Sequence, residues 1–324
     1  MSKARECINW IKEYFEGNPD GKAIIGISGG KDSTIAAALC VEALGADRVV
    51  GVMMPNIVQG DIKDSIEVCK LLGIHHLKID IGGAVNALCH AIDYEYDFDI
   101  CCSNNSMINT NLPARLRMAT LYAVAALYPN SRVVNTCNRS EDYVGYSTKY
   151  GDAAGDFSPL GNLTVREVLS IGDELGLPKH LVHKTPSDGM CGKSDEDNLG
   201  FTYDELDDYI LGRDYVSEET IEKIERLHKA TRHKYTPMPM FTPAEGGIID
   251  PEQLVLFADG GLVDPSMTAS AMAGEIVANL RADFDKAAAN NVSINTDYKL
   301  EDAIRSIENS MWQSIVKDGI RGIK

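Results

Sequence analysis

Two adjacent glycines, flanked by serines and an aspartate, form the stretch best suited to chemistry: Gly26-Ile27-Ser28-Gly29-Gly30-Lys31-Asp32-Ser33. Glycine lets backbone N–H groups approach a ligand closely, and the first turn of a helix offers free N–H groups and a positive dipole end to an anion. Asp32 would repel a phosphate unless a divalent cation lay between them. The stretch therefore predicts a site that binds pyrophosphate together with a metal ion.

A strand and a helix must hold this loop. The apolar run 23–27 predicts a short buried strand, and the alanine- and leucine-rich segment 34–44 predicts a helix. The loop matches neither the Walker pattern Gly-x-x-x-x-Gly-Lys-Ser/Thr nor the dinucleotide-binding pattern Gly-x-Gly-x-x-Gly. An ordinary glycine turn is the alternative, but the specified positions in a strand–turn–helix setting favour a ligand site.

Strands and helices alternate along the first part of the chain. Periodicity predicts helices at 7–15, 61–72, 85–92 and 109–127, and strands at 48–54, 75–81 and 132–136. This alternation is typical of an α/β fold with a doubly wound parallel sheet. Ligands of such sheets bind beyond the carboxyl ends of the strands, so we expect the loop and the segments after Met54 and Val134 to share one edge.

A second candidate stretch is Asn111-Leu112-Pro113-Ala114-Arg115-Leu116-Arg117-Met118. Arginine suits bidentate contacts with phosphate or carboxylate. Arg115 and Arg117 are two residues apart, so they point to different faces of a helix, and at most one reaches a given ligand. Taken alone, both also fit exposed surface positions.

A third candidate stretch follows the last predicted strand and contains small, hydroxylic and charged residues. Glu141 offers a second carboxylate for the metal expected at Asp32, and Lys149 offers a point charge for a phosphate. Each of these residues by itself would equally suit an ordinary surface position.

Composition narrows the class of partner. The 324 residues carry a formal net charge of −17, and this negative field would repel a phosphate backbone, so we expect no nucleic-acid partner. No apolar run reaches about 18 residues, so we expect no membrane span, and the N-terminus lacks an apolar signal segment.

Eight cysteines without a Cys-x-x-Cys pair indicate reduced thiols and a cytoplasmic protein. His180-x-x-His183 and Cys89-His90 lack a matching second pair, which disfavours a structural metal there.

The three stretches together resemble the ammonia-dependent NAD synthetases, within the pyrophosphate-loop ATP pyrophosphatases. The shared patterns are Ser-Gly-Gly-x-Asp-Ser, Asn-x-x-Ala-Arg-x-Arg-Met and Ser-Glu-x-x-x-Gly-Tyr-x-Thr-Lys-Tyr-Gly-Asp, and the resemblance extends over residues 1–240. It implies an adenine nucleotide α-hydrolase-like fold, a catalytic domain over 1–240 and a homodimer.

The resemblance also implies a reaction in two steps. The nicotinate carboxylate of deamido-NAD attacks the α-phosphate of ATP, giving an adenylate and pyrophosphate, and ammonia then displaces AMP to give NAD. The implied catalytic residues are Asp32 and Ser33, and the implied Mg²⁺ ligands are Asp32 and Glu141. The implied ATP contacts are Gly26, Ile27, Ser28, Gly29, Gly30, Lys31, Asp32, Ser33, Thr136 and Ser187. The implied deamido-NAD contacts are Arg115, Lys149, Asp156, His233 and Lys234.

Three positions depart from the family pattern. Val165 stands where the family usually has a lysine that meets ATP, Pro113 stands at a usual Gln or Lys position, and Asp188-Gly189-Met190 replaces Ala-Asp-Leu. The missing lysine puts one phosphate contact in doubt. The residues that could replace it are Lys31, Arg166, Lys184 and Lys193.

The segment 241–324 lies outside the resemblance. A proline- and glycine-rich stretch indicates a linker, and two amphipathic helices are predicted after it, one over 268–289 and one with Ile304, Ile307, Met311 and Ile315 on its apolar face. We expect a helical extension of unknown role. There is no room for a glutaminase domain before the loop at residue 26, so free ammonia or a separate protein is the expected nitrogen donor.

Two other functions stay open at the level of the sequence. One is a different amidating ligase of the pyrophosphate-loop group, similar to GMP synthetase; the Thr-Lys-Tyr-Gly-Asp stretch and Arg115 favour the NAD-forming ligase over it. The other is a non-catalytic nucleotide-binding regulator, suggested by Val165 and the extra helices. Both metal carboxylates, Asp32 and Glu141, argue against a regulator, because nucleotide binding alone does not need the pair.

Overall fold

A computed structural model describes residues 1–95, 106–184, 195–213, 216–242 and 247–248. The chain divides into two units, Met1–Met238 and Pro239–Lys324. The proposed domain boundary after residue 240 stays a prediction. The two helices predicted in the C-terminal extension, Ser187, Lys193 and the departure at 188–190 lie outside the described residues.

The first unit alternates helices with strands as the sequence predicts. Its strands are β1 (Ala23–Gly26), β2 (Val49–Met53), β3 (His75–Lys78) and β4 (Arg132–Val133). The helices of its first half are α1 (Lys3–Tyr14), α2 (Lys31–Leu44), α3 (Ile62–Leu71), α4 (Gly82–Glu95) and α5 (Ser106–Ala125). Those of its second half are α6 (Arg139–Val144), α7 (Val165–Glu174), α8 (Lys179–Val182), α9 (Asp195–Leu199), α10 (Tyr203–Ile210) and α11 (Glu218–Thr231). Single 3₁₀ turns lie at Ala46–Arg48 and Arg232–Lys234.

The four strands form one parallel sheet in the order β3-β2-β1-β4, which confirms the predicted α/β fold. Ile24 of β1 pairs with Val50 on one side and Val133 on the other. Beyond β4 a single parallel bridge joins Val134 to Phe157, so the last strand is shorter than the predicted 132–136. The central position of β1 brings the loop after it between the ends of β2 and β4.

Helices cover both faces of the sheet because successive strand residues are apolar on both sides. Ile25 of β1 belongs to a core with α1, α2, α7 and α8, whereas Ile24 belongs to a second core with α4 and α5. Val49 and Val50 of β2 alternate between the same two cores. A sheet that is apolar on both faces must be covered twice, and this is the doubly wound arrangement.

Helices α6 to α11 follow the sheet and were not predicted individually. Three of them begin with a capping box. In each, the side chain of the first residue accepts a hydrogen bond from the backbone N–H of a glutamate three positions later, and the glutamate side chain accepts one from the backbone N–H of the first residue. The pairs are Asn138 with Glu141, Thr164 with Glu167, and Thr202 with Glu205. The spacing of these pairs is visible in the sequence and would have placed the helix starts. A small apolar cluster holds this part together, and it consists of Val144, Val165, Phe201, Tyr203, Leu206 and Ile224.

The second unit contributes only two short strands to the described residues. β5 (Phe241–Thr242) and β6 (Gly247–Ile248) pair antiparallel. Throughout the described ranges, every helix is too short or too polar to span a bilayer.

Gly172 tests the packing between α7, α2 and α8. A Cβ at this position would lie 2.8 Å from Val182 Cγ1 and 3.0 Å from Ile35 Cδ1. We expect Gly172→Ala to lower the free energy of unfolding by ~1–3 kcal/mol, because overpacking outweighs the gain in helix propensity. Urea denaturation monitored by circular dichroism gives the value.

Gly83 supplies the matched control, since it is also helical and exposed, and a Cβ added there would have no neighbouring atom within 4 Å. Gly83→Ala should raise the free energy of unfolding by up to ~1 kcal/mol through reduced chain entropy. Equal effects of the two substitutions would show that α7 does not pack as tightly as described.

Candidate functional site

The glycine loop connects β1 to α2 through hydrogen bonds between its own serines and backbone. Ser28 Oγ lies 3.0 Å from Ser33 Oγ and accepts a hydrogen bond of 3.1 Å from the Gly30 N–H. Ser33 Oγ in turn lies 3.2 Å from the Gly30 carbonyl oxygen, to which it donates. Gly30 caps α2 without a side-chain hydrogen bond, so the N-terminus of this helix faces the loop as the sequence predicts.

Gly29 is the glycine that the loop geometry requires. Its φ of +83° lies in the left-handed region, and a Cβ there would approach the Asp61 carbonyl oxygen to 3.1 Å. The N-terminal turn of α3 therefore packs directly against the loop. Lys184 Nζ reinforces this contact, because it lies 3.1 Å from Asp61 Oδ2 and 2.6 Å from Asp64 Oδ2.

Two carboxylates from distant parts of the sequence meet beside the loop. Asp32 lies in the first turn of α2 and Glu141 in the first turn of α6, and Lys31 Nζ lies 2.6 Å from Asp32 Oδ2 and 3.7 Å from Glu141 Oε1. Asn138 Nδ2 donates a hydrogen bond of 3.1 Å to Asp32 Oδ1. Lys31 is only 5% exposed. The structure thus brings together the two residues for which the sequence predicts a shared metal, with Thr136 in the loop just before Asn138.

Burial and like charge dominate the electrostatics of this pair. Burial and the negative charge of Asp32 raise the pKa of Glu141 to about 8, although Lys31 opposes the shift. Burial alone would lower the pKa of Lys31, but the charges of Asp32 and Glu141 raise it above its ordinary value. Two carboxylates held together in this way favour a cation between them.

The donor set fits Mg²⁺ bound together with a nucleotide. Mg²⁺ usually takes one or two carboxylates and completes its shell with water and substrate phosphate oxygens, which matches Asp32 and Glu141 beside an anion loop. A cluster of three or more His, Cys, Asp or Glu able to hold a metal is absent from the described part of the chain. His180 lies 3.0 Å from Glu67 and His183 lies 2.8 Å from Asp173, so the two histidines contact different carboxylates.

Val165 occupies an apolar environment rather than the phosphate site. Its side chain is buried in the same apolar cluster as Tyr203, and its N–H donates to Ser140 Oγ at 3.1 Å. Arg166 pairs with Asp204 and Asp208 at 3.1 and 2.8 Å, so it points to that carboxylate pair. Of the three candidate replacement cations that the structure describes, Lys31, Arg166 and Lys184, Lys31 is the one whose ammonium contacts Asp32 and Glu141.

Tyr203 was not predicted as a site residue, yet it borders the same carboxylates. Its side chain is 4% exposed, and its hydroxyl has no hydrogen-bond partner among the residues that the structure describes. Lys31 Nζ lies 5.7 Å from the centre of its ring. Burial, together with the charges of Glu141, Asp195 and Asp32, raises the pKa of Tyr203. A buried hydroxyl without a hydrogen-bond acceptor indicates a ligand site, and it can be found only from the folded structure and not from the sequence.

A second group of predicted residues meets next to α5. Arg115 Nε donates a hydrogen bond of 3.3 Å to the Lys149 carbonyl oxygen, and Lys149 Nζ donates to the His233 carbonyl oxygen. Lys234 Nζ donates to the carbonyl oxygens of residues 145 and 147 at 2.7 and 2.8 Å. The side chains of Arg115, Lys149 and Lys234 therefore form one cationic group around the loop that follows α6, and the backbone of His233 contacts it.

Asp156 lies apart from this group. Its Oδ2 accepts a hydrogen bond of 2.7 Å from the Val133 N–H, and its Oδ1 accepts one of 3.2 Å from the Tyr122 hydroxyl. Tyr122 is two helical turns beyond Arg115 on α5, a separation of about 10 Å along the axis. Burial and the charge of Asp156 raise the pKa of Tyr122 to about 12. The contacts of this carboxylate within the chain tie α5 to β4.

The two arginines of α5 have different partners, as their spacing predicts. Arg115 is exposed and contacts Lys149, whereas Arg117 Nε donates a hydrogen bond of 3.2 Å to the Met54 carbonyl oxygen just after β2. Pro113 lies inside the same helix and is buried. Arg117 thereby fastens α5 to the sheet edge at which the glycine loop lies.

The fold and the loop define a nucleotide-binding α/β protein of the pyrophosphate-loop class. The sequence model described as NAD synthase matches residues 3–238. The NH(3)-dependent NAD(+) synthetase of Alkaliphilus metalliredigens is 37% identical over 74% of this chain and 97% of its own length. The chain belongs to the NAD synthase family, whose members include carbon–nitrogen ligases.

Solved structures agree with this assignment. The structure described as an NMN synthetase from Francisella tularensis is 36% identical with a TM-score of 0.66, and the alignment covers 75% of this chain and 97% of that one. The NH3-dependent NAD synthetase of Campylobacter jejuni, in complex with the nitrate ion, is 25% identical with a TM-score of 0.58 and coverages of 74% and 97%. These likenesses confirm the adenine nucleotide α-hydrolase-like fold.

The pH dependence of stability tests the burial of Glu141. Its pKa is raised from 4.5 to about 8 in the folded protein, so the folded state binds more protons than the unfolded state between these values. The free energy of unfolding of the metal-free protein should therefore fall as the pH rises through this window. Urea denaturation in a chelating buffer at several pH values between about 5 and 8 measures the slope.

Glu141→Gln is the matched variant, because it removes the titrating group and nearly preserves the shape. Its stability should fall less steeply over the same pH range. Parallel profiles for the two proteins would contradict the raised pKa of Glu141.

Proposed function

We propose that this protein joins ammonia to the nicotinate carboxylate of deamido-NAD at the expense of ATP, forming NAD, AMP and pyrophosphate through an adenylate. The observation that carries the proposal is the pair Asp32 and Glu141 beside an anion-binding loop, in a chain whose family relatives are NH3-dependent NAD synthetases. A nucleotide-binding regulator would need the loop but not the partly buried pair of carboxylates.

Adenylation solves the chemical problem that a carboxylate is a poor electrophile. We assign the ATP phosphates to the loop Gly26–Ser33, where backbone N–H groups and the start of α2 stabilise negative charge that develops on them. Thr136 and Ser187 are proposed as further ATP contacts. Mg²⁺ held by Asp32 and Glu141 would neutralise phosphate charge and orient the α-phosphate for in-line attack.

The cationic group at α5 suits the second substrate. Deamido-NAD carries phosphates and a carboxylate, and Arg115, Lys149 and Lys234 provide positive charge on one side of the loop after α6. His233, whose backbone contacts Lys149, is proposed as a further contact. Asp156 is proposed as a further contact, although its carboxylate is bound to β4 and α5 in the structure described. Binding both substrates in fixed positions makes the attack effectively intramolecular.

A second acceptor is favoured by one comparison. The Francisella tularensis protein, with the higher TM-score of the two structures compared, is described as an NMN synthetase. The same chemistry on nicotinate mononucleotide would give NMN, since the reacting carboxylate is identical in both substrates. The mononucleotide lacks the adenylyl half, so the two acceptors differ in how much of the cationic group they can contact.

We further propose that the protein acts in the cytoplasm as a homodimer, with Mg²⁺. Cys40, Cys69 and Cys137 are free thiols, and thiols without disulfides are usual for proteins of a reducing compartment, which supports the location. The resemblance to ammonia-dependent NAD synthetases supports the dimer.

The deciding experiment incubates the full chain with ATP, Mg²⁺, a nitrogen donor and each acceptor in turn, and measures dinucleotide or mononucleotide amide together with AMP. We expect ammonium, and not glutamine, to support turnover, because the Alkaliphilus metalliredigens relative, which this chain covers almost completely, is an NH3-dependent synthetase. The ratio of kcat/KM for deamido-NAD and nicotinate mononucleotide identifies the acceptor. Xanthylate as the only accepted substrate would point to a GMP-synthetase-like ligase instead.

Asp32→Ala tests the metal carboxylate. Without it, the metal loses one ligand and the phosphates lose charge neutralisation, so we expect adenylate formation to fall by more than ~10²-fold. Pyrophosphate release in the presence of deamido-NAD measures the step. Asp204→Ala, which removes an aspartate whose side chain is 82% exposed, should stay near wild type. An Asp32→Ala protein with near wild-type rate would refute the metal assignment.

A further inference from the structure

Lys31 is a buried lysine within the loop proposed to bind phosphate. Its side chain is 5% exposed, and its ammonium lies 2.6 Å from Asp32 Oδ2 and 3.7 Å from Glu141 Oε1. An ammonium taken out of water needs opposite charge close by, and two carboxylates supply it here. In the structure described, Lys31 is the cation of the carboxylate pair.

The proposed metal needs the same two carboxylates. A divalent cation bound by Asp32 and Glu141 would repel an ammonium held at contact distance from both, so the two cations compete for one place. Lysine has a flexible four-carbon stem and can move its charge without moving the backbone. Because Lys31 lies in the first turn of α2, its ammonium can be released toward the anion site at the start of that helix.

Tyr203 lies next to Lys31 and has a hydroxyl that a bound ligand could satisfy. Its ring lies 5.7 Å from Lys31 Nζ, and its buried hydroxyl lacks an acceptor among the described residues. A buried hydroxyl donor is normally satisfied, so a ligand oxygen next to Lys31 would supply the missing partner. The Tyr203 hydroxyl is thus suited to donate a hydrogen bond to a phosphate oxygen that comes within its reach.

We propose that Lys31 is a built-in counter-cation of Asp32 and Glu141, that a divalent metal displaces it, and that the displaced ammonium then binds a phosphate of ATP. The inference rests on the ATP and metal site of the proposed function. It assigns to Lys31 a positioning role. Without nucleotide, the metal ion must compete with the Lys31 ammonium for the two carboxylates. With nucleotide bound, a phosphate provides another anion for the displaced ammonium. Metal and ATP therefore bind cooperatively, and each increases the affinity of the other by the same factor.

The first measurement uses Mn²⁺ as the probe and no nucleotide. Titration of the full chain, with free Mn²⁺ followed by electron paramagnetic resonance, should show that Lys31→Met binds Mn²⁺ about tenfold more tightly than wild type, because a competing charge has been removed. Lys31→Arg keeps the charge and should bind Mn²⁺ like wild type. Lys223→Met is the control, since it removes a lysine that pairs with a single exposed carboxylate, Glu219, within α11. Its Mn²⁺ affinity should be unchanged.

The second measurement determines the affinity for ATP with saturating Mg²⁺ by calorimetry, without an acceptor. Lys31→Met should bind ATP about tenfold more weakly, since it loses a charged contact with phosphate. The effects on Mn²⁺ and on ATP thus have opposite directions, which a merely structural lysine would not produce. Mn²⁺ binding that is equal to or weaker than wild type would overturn the counter-cation role, and unchanged ATP binding would overturn the transfer to phosphate.

Two further controls keep the result decisive. If Lys31→Met does not fold, as judged by thermal melting, Lys31→Gln is measured instead and the same outcomes decide. Both titrations omit deamido-NAD and ammonia. A protein that bound Mn²⁺ and ATP as expected but formed no NAD would therefore retain this inference and lose the proposed function.

Discussion

The rest of the structure depends on one constraint: two partly buried carboxylates, Asp32 and Glu141, lie beside an anion-binding loop. The two repel each other, and burial and this repulsion raise the pKa of Glu141 to about 8. A proton or a cation relieves the repulsion, and Lys31 is the cation in the structure described. The loop, the start of α2 and the start of α6 must therefore be held together accurately, because small displacements change strong interactions.

The order of the strands in the sheet holds the loop and the starts of α2 and α6 in fixed positions. β1 carries the loop and lies between β2 and β4, so the segments after all three strands emerge at one edge. Asn138 connects the two sides, because it caps α6 and also donates a hydrogen bond to Asp32. Arg117 fastens α5 to the end of β2 in the same region. The anion loop and the metal carboxylates are thus positioned by the central strands of the sheet, with α5 fastened to the same edge.

The sequence was sufficient to predict the fold and the loop, because both depend on local patterns. Alternating apolar runs and helical periodicity predicted β1, α2 and the parallel sheet, and Ser-Gly-Gly-x-Asp-Ser predicted the anion site. The pairing of Lys31 with Glu141 was not predictable, since it joins residues whose separation is closed only by the order of the strands. The unsatisfied hydroxyl of Tyr203 was equally invisible, because satisfaction depends on which atoms surround a buried group. At Asp156 the substrate contact stays a prediction, and the two hydrogen bonds that the chain itself supplies to that carboxylate could not be predicted from any local pattern.

Local charge decides how an acidic protein binds anions. The formal net charge of −17 opposes every phosphate at long range, but salt screens that field over about 8 Å at physiological ionic strength. Within this distance the loop offers backbone N–H groups, a helix N-terminus and Lys31, while Arg115 of α5 and Lys149 of the loop after α6 add positive charge. A buried charge such as that of Lys31 is screened less than the exposed acids of the surface, so it acts more strongly on a nearby phosphate. The same argument explains why a cation is needed beside Asp32 and an ionised Glu141 when a phosphate enters the loop, because at this short range their charge acts on it with little screening.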